Sequence, residues 1–178
     1  AAEQGVARAQ VLLGMMYDRG AGVPEDSMEA VYWYRKAAEQ GDGSAQFFLG
    51  FKLNTGDGVP VNKTDAVSWY RKAAEQGNVA AQFCLGAMYR EGDGIPQNDA
   101  QAVSWFRKAA EQGDAGAQFF LGISFRDGAG VAEDVVQGYA WLSLAAARSV
   151  EGAQEAKAVA ADRMTSEQVT RAQELSAQ

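Results

Sequence analysis

Apolar and polar positions along this chain recur with two periods at once. Within short segments they follow helical spacing: Ala45, Leu49 and Leu53 fall at i, i+4 and i+8, and Ala30, Trp33 and Ala37 at i, i+3 and i+7. Each set lies on one face of an α-helix. Over longer distances the segments themselves return every 36 residues. WYRKAAEQG at Trp33–Gly41 is repeated at Trp69–Gly77, then as WFRKAAEQG at Trp105–Gly113, and a decayed copy, WLSLAAARS, begins at Trp141. The pattern predicts an all-α array of helix-turn-helix repeats, because self-similarity at a fixed period of this length marks stacked supersecondary units.

The first helix of each pair, helix A, is the segment around ARAQVLLG, SAQFFLG, AAQFCLG and GAQFFLG, closed by Gly20, Gly56, Gly92 and Gly128. Asp42, Asn78 and Asp114 are placed to cap its start, and the closing glycines to take the left-handed conformation at its end. Inside it stand Gly14, Gly50, Gly86 and Gly122. A mid-helix glycine costs roughly 1 kcal/mol against alanine, so these positions predict close approach of a neighbouring helix. The connectors GAGVPED, GDGVPVN, GDGIPQN and GAGVAED end in Asp26, Asn62, Asn98 and Asp134, with Glu29, Asp65, Gln101 and Gln137 three residues on. That spacing resembles a capping box and starts helix B. On helix B, Trp33, Trp69, Trp105 and Trp141 are expected to bury one indole per repeat, each ~150 to 250 Å², as the largest single contribution to the unit. Arg35, Lys36 and Glu39, with their equivalents, are expected to face water.

The array divides into 1–5 as the tail of a preceding repeat, repeats at 6–41, 42–77, 78–113 and 114–149, and 150–178 as a partial repeat with a C-terminal cap. In the partial repeat Phe119 and Leu121 are replaced by Glu155 and Lys157, the polar face that a terminal unit needs. The cap helix has its own start signal in Thr165 and Gln168, with Met164 and Val169 as a hydrophobic staple. At the other end, Met15 and Met16 are expected to be partly exposed for want of a preceding helix pair, which predicts self-association or domain packing through the N-terminal edge.

Composition narrows the chemistry. Sixteen Lys and Arg stand against 23 Asp and Glu, a formal net charge of −7, the opposite of a phosphate-tracking surface; nucleic acid is not an expected partner. Apolar runs such as Val11–Leu13 are far below the ~20 residues of a membrane span. Histidine is absent, which removes the commonest general base and metal ligand. Cys84 is alone, so neither a disulfide within the chain nor a cysteine metal site is expected. The Gly-x-Gly connectors lack the Lys-Ser/Thr of a P-loop and the spaced acids of an EF-hand. No catalytic residue, cofactor or metal is predicted, and the chain reads as a binder.

Helix pairs of 36 residues carrying A-Q-x-x-L-G-x-x-Y and W-Y-R-K-A-A-E-Q-G resemble the Sel1-like repeat family, a relative of tetratricopeptide repeats, over Ala2 to about Gln154. The resemblance implies a right-handed α/α superhelical solenoid whose A helices line a concave surface, in proteins acting as adaptors, receptors or regulators of other proteins. It implies a bacterial periplasmic or secreted setting, and some members resemble immunity proteins that neutralise a secreted toxin. A purely architectural spacer is the other reading. The disulfide-linked subgroup carries a cysteine pair per repeat, which this chain lacks.

The apolar residues after Ala-Gln and Leu-Gly on helix A either pack between neighbouring A helices or line a groove. Where the family usually has a polar residue this chain has Leu12, Phe48, Cys84 and Phe120. A peptide or partner helix along Phe48, Cys84 and Phe120, with Phe51 beside them, is the predicted site. Lys52, Met88 and Ser124 neighbour that ridge and differ between repeats, the variation that specificity requires.

Overall fold

The computed structural model describes the backbone of residues 2–177 and the side chains of residues 6–177. Among the described residues there are ten helices and no strand: α1 (Ala2–Arg19), α2 (Ser27–Glu39), α3 (Gly43–Thr55), α4 (Lys63–Glu75), α5 (Val79–Glu91), α6 (Asp99–Glu111), α7 (Ala115–Asp127), α8 (Val135–Ala147), α9 (Ala153–Ala161) and α10 (Ser166–Ser176). Odd-numbered helices to α7 are A helices, and even-numbered ones to α8 are B helices. Two compact units divide the chain, one of Ala1–Met88 with Gly92–Pro96, the other of Tyr89–Glu91 with Gln97–Gln178. In the first, α1 packs on α2, α2 on α3, and α3 on α4; in the second, α6 packs on α7, α7 on α8, and α8 on both α9 and α10.

The boundaries follow the capping signals. Asp42, Asn78 and Asp114 accept the amides of Ala45, Ala81 and Ala117, and Asp26, Asn62, Asn98 and Asp134 do the same at the B helices. The two-way capping box forms at Thr165 and Gln168, and Met164 and Val169 pack against the Tyr139–Leu142 cluster beneath it. One boundary differs from expectation. The chain does not break after Gly5: α1 runs for 18 residues where the next three A helices have 13. Val6 stands where those helices have Asp or Asn, so no side chain caps a new start. The tail reading of 1–5 otherwise concerns side chains outside the described ones.

Three of the mid-helix glycines, Gly14, Gly50 and Gly122, are explained by contact with helix B. A Cβ at Gly14 or Gly50 would lie 2.7 or 2.9 Å from the ring of Tyr34 or Tyr70, and one at Gly122 would lie 2.7 Å from Leu142. These partners, not the tryptophans, fill the core. Tyr34, Tyr70, Phe106 and Leu142 are fully buried, whereas Trp33, Trp69 and Trp141 are half-buried and Trp105 is 8% exposed. Each helical step of about 100° places Tyr34 between the stripes Ala30/Ala37 and Val31/Ala38. Trp33 falls on the flank. The tryptophans are covered instead by lysine: Lys72 lies 4.0 Å from the Trp69 ring and Lys108 4.0 Å from that of Trp105. Lys36, Lys72 and Lys108 are thus exposed yet pack a cationic head on an indole face.

Adjacent repeats are joined by a ladder of glutamines. Gln46 donates to the Ala38 carbonyl at 3.2 Å, and its own oxygen accepts from Gln76 at 2.8 Å; Gln76 also donates to the Gly41 carbonyl at 3.1 Å. Gln82 and Gln118 repeat the first bond, to Ala74 and Ala110. At the fourth repeat a rung is missing. Arg148 stands where Gln40, Gln76 and Gln112 stand in the earlier repeats, and Gln118 Oε1 is buried without a partner. A buried acceptor left unpaired costs about 1–3 kcal/mol. Arg148→Gln is therefore expected to stabilise the chain by roughly 1 kcal/mol, read as a higher denaturation midpoint; an unchanged or lower midpoint counts against the missing rung.

Candidate functional site

Phe48 lies on α3 with its ring stacked on Tyr34 of α2, centroids 4.9 Å apart, and Phe47 contacts both Phe48 and Tyr70 at 5.5 and 5.9 Å. In the second unit Phe120 of α7 repeats the arrangement, stacked on Phe106 at 5.3 Å. Both rings join a B helix to the A helix of the following repeat, and both stay half-buried. Phe119 and Ile123 pack toward α8 and the C-terminal helices. Much of the apolar ridge is thus packing between helices. Phe51, at 45% exposure, is the largest departure from that rule on α3. Cys84 is half-buried, beside the Tyr70 hydroxyl, which burial first and then Cys84 push well above its ordinary pKa.

Lys52, Met88 and Ser124 are placed differently from the sequence expectation. All three are buried, at 3%, 5% and 8% exposure, because the position after Phe51 turns from the ridge into the seam between repeats. Lys52 extends into that seam and is ion-paired to both Asp18 of α1 and Asp57 of the connector. Burial by itself pulls the ammonium down, but the bonds from the two acids outweigh it and its pKa ends above the ordinary lysine value. Bonds from Lys52 and then Ser27 hold the Asp57 carboxyl below the usual carboxylate range. The adjoining Tyr34 hydroxyl, 3.5 Å from Asp18, is pushed up by burial and then by that carboxylate. Lys52 and Met88 shape the seam from beneath and offer little surface to a partner, while Ser124 borders a small cavity.

At the N-terminal edge Leu12 and Met16 are 56% and 38% exposed and Met15 is half-buried. On the outer side of α2, Met28 and Tyr32 are 73% and 47% exposed, an apolar pair that the reading of helix B as a charged outer face missed. Its signal is Met28, Tyr32 and Lys36 at i, i+4 and i+8, where the next repeat has Thr64 and Ser68. Among the described residues no group of three or more His, Cys, Asp or Glu is arranged to hold a metal. No described helix is long and apolar enough to cross a membrane.

The Sel1 repeat model matches residues 7–42, 43–78, 79–114 and 115–150. A Sel1 repeat protein from Oxalobacter formigenes is 40% identical over 83% of this chain and 61% of its own, with a TM-score of 0.78. A protective antigen present in uropathogenic Escherichia coli strains, displaying an SLR fold, is 39% identical over 98% of this chain and 38% of its own, with a TM-score of 0.85. This chain thus spans under two thirds of either. Helicobacter pylori cysteine rich protein B shares the fold, at 24% identity and a TM-score of 0.55 over 64% of this chain and 87% of its own. No curated protein matches the sequence.

Proposed function

This chain belongs to the Sel1 repeat family, and on that premise we propose that it is a scaffold whose protein or peptide partner docks on the A helices, around Phe51 and the exposed edges of Phe48 and Cys84 in the first unit and around Phe120 in the second. Sel1 repeat proteins generally mediate protein–protein interactions, and the family is a non-catalytic repeat scaffold. The observation that carries the reading is Phe51: a large ring, 45% exposed beside two half-buried phenylalanines, on a helix whose other apolar side chains are spent on packing. Covering it returns hydrophobic free energy of roughly 25 cal/mol per Å².

Site-specific photo-crosslinking tests the docking. A photo-reactive phenylalanine in place of Phe51 is expected to give one dominant adduct in extracts of the source organism, and the same group in place of the outward-facing Ser68 is not. Phe51→Ser is expected to leave the melting temperature within ~2 °C, as for a surface change, while weakening partner binding at least tenfold. Equal labelling at both positions, or none at either, removes the reading and leaves an architectural spacer. We propose also that the exposed Leu12 and Met16 edge packs on another helix pair of the same kind, a second copy included; a strict monomer by sedimentation at high concentration rules out the second copy.

A further inference from the structure

The seam position occupied by Lys52 changes character along the chain. In the second repeat Lys52 fills it and is held by Asp18 and Asp57. In the third it is filled by Met88, 5% exposed. In the fourth the residue is Ser124, the counterpart of Asp18 is Arg90, and that of Asp57 is Ala129. The long side chain has become short, one acid has become a cation and the other has been deleted. A cavity of about 70 Å³ lies at this place, lined by Arg90, Asp99, Phe120, Ile123, Ser124 and Ala129 among others.

Its charges differ from those of the Lys52 seam, one cation, Arg90, standing with one acid, Asp99, in the wall. The Arg90 guanidinium is held 4.0 Å over the Phe120 ring, which fixes its plane at the cavity. It forms an ion pair with its own neighbour Glu91, at 3.0 Å, and both side chains are well exposed, at 38% and 58%. Such a pair is weak and uses part of a five-donor fork. The Asp99 carboxylate lies 3.5 Å from the Gln97 amide, and the Asp99 carbonyl is the atom that crowds Gly130. The volume is about that of two waters at roughly 30 Å³ each. That admits a carboxylate on a methylene stem.

We propose that this cavity is a socket for the side-chain carboxylate of a glutamate presented by the docking partner, its oxygens on Arg90 and the Ser124 hydroxyl and its stem on Phe120 and Ile123. The proposal rests on the partner-binding reading above and adds the chemistry of the anchor. Lys52 is the precedent within the chain: the same seam position already binds one ionised side chain through groups of opposite sign.

Titration calorimetry of the full chain with a peptide of alternating alanine and glutamate, and with its glutamine counterpart, tests it. The glutamate peptide is expected to bind about tenfold tighter, the scale of one charge-assisted contact. Arg90→Gln is expected to erase that preference. Ser124→Met, which fills the cavity as Met88 fills its own, is expected to abolish it with the melting temperature kept or raised. No binding of the glutamate peptide, equal binding of the two, or a preference that survives Ser124→Met overturns the socket. The photo-crosslinking at position 51 is independent of the outcome, so the socket and the docking reading fail separately.

Discussion

Replacing Tyr34 with alanine is expected to destabilise the chain by about 3–5 kcal/mol, the range for deleting a buried aromatic side chain, while Trp33→Ala costs roughly 2 kcal/mol. The order is the reverse of what side-chain size suggests. Tyr34 is 0% exposed, meets Gly14 at a distance that leaves no room for a Cβ, and carries the Phe48 ring stacked at 4.9 Å. Its loss opens a cavity at the joint between two repeats. Trp33 is half-buried on the flank of α2, and its indole nitrogen is buried without a partner, which offsets part of what its burial contributes. In thermal denaturation the Tyr34 variant is expected to melt roughly 10 °C or more below the parent, and the Trp33 variant well under that. Tyr34→Phe separates ring from hydroxyl, since the Asp18 contact is long at 3.5 Å; it is expected to keep most of the stability. Equal losses for Tyr34→Ala and Trp33→Ala would return the tryptophan to the centre of the repeat.

Gly58→Ala is expected to cost at least about 3 kcal/mol, against about 1 kcal/mol for Gly77→Ala. Both glycines have positive φ, +73° and +86°, so both substitutions share the left-handed penalty. They differ in what surrounds them. A Cβ at Gly77 would meet nothing within 4 Å, whereas one at Gly58 would sit 2.3 Å from the Ser27 carbonyl oxygen, at the first residue of the preceding helix B. The same crowding recurs at Gly94 against Lys63 and at Gly130 against Asp99. The second glycine of the last three Gly-x-Gly connectors is therefore a contact between repeats as well as a turn residue. Matched urea titrations of the two variants give the comparison, and a Gly58 loss no larger than that of Gly77 would reduce the motif to turn geometry.

How far each feature could be read before folding depended on how local its cause is. Asp42 capping Ala45, Gly56 closing α3, and Thr165 with Gln168 opening α10 involve groups within four residues of each other, and all were legible. The need for small residues at Gly14 and Gly50 was legible too, but not the identity of what approaches them. The Ala30, Trp33, Ala37 spacing marked the buried face of helix B and put its centre one residue early, since Ala30, Tyr34, Ala37 fits a 3.6-residue period as well. Lys52 was read as a position facing a partner because it follows an exposed ridge residue; the acids that draw it inward are Asp18, on another helix, and Asp57.

The amino-acid sequence by itself determined that the chain is an all-α array of helix pairs with a period of 36 residues, where the helices from α2 to α7 start, and that histidine is absent. Those are properties of composition and of interactions that close within one or two turns. Only the tertiary structure decided that Tyr34, Tyr70, Phe106 and Leu142 form the core, and that Phe48 and Phe120 are partly consumed in packing while Phe51 is left exposed. It also decided that the seam position filled by Lys52 borders, at Ser124, a cavity of about 70 Å³ with Arg90 in its wall. Each of these depends on which side chain meets a neighbour some 14 to 36 residues away. Periodicity gives the face of a helix but not the depth or the sign of what packs against it.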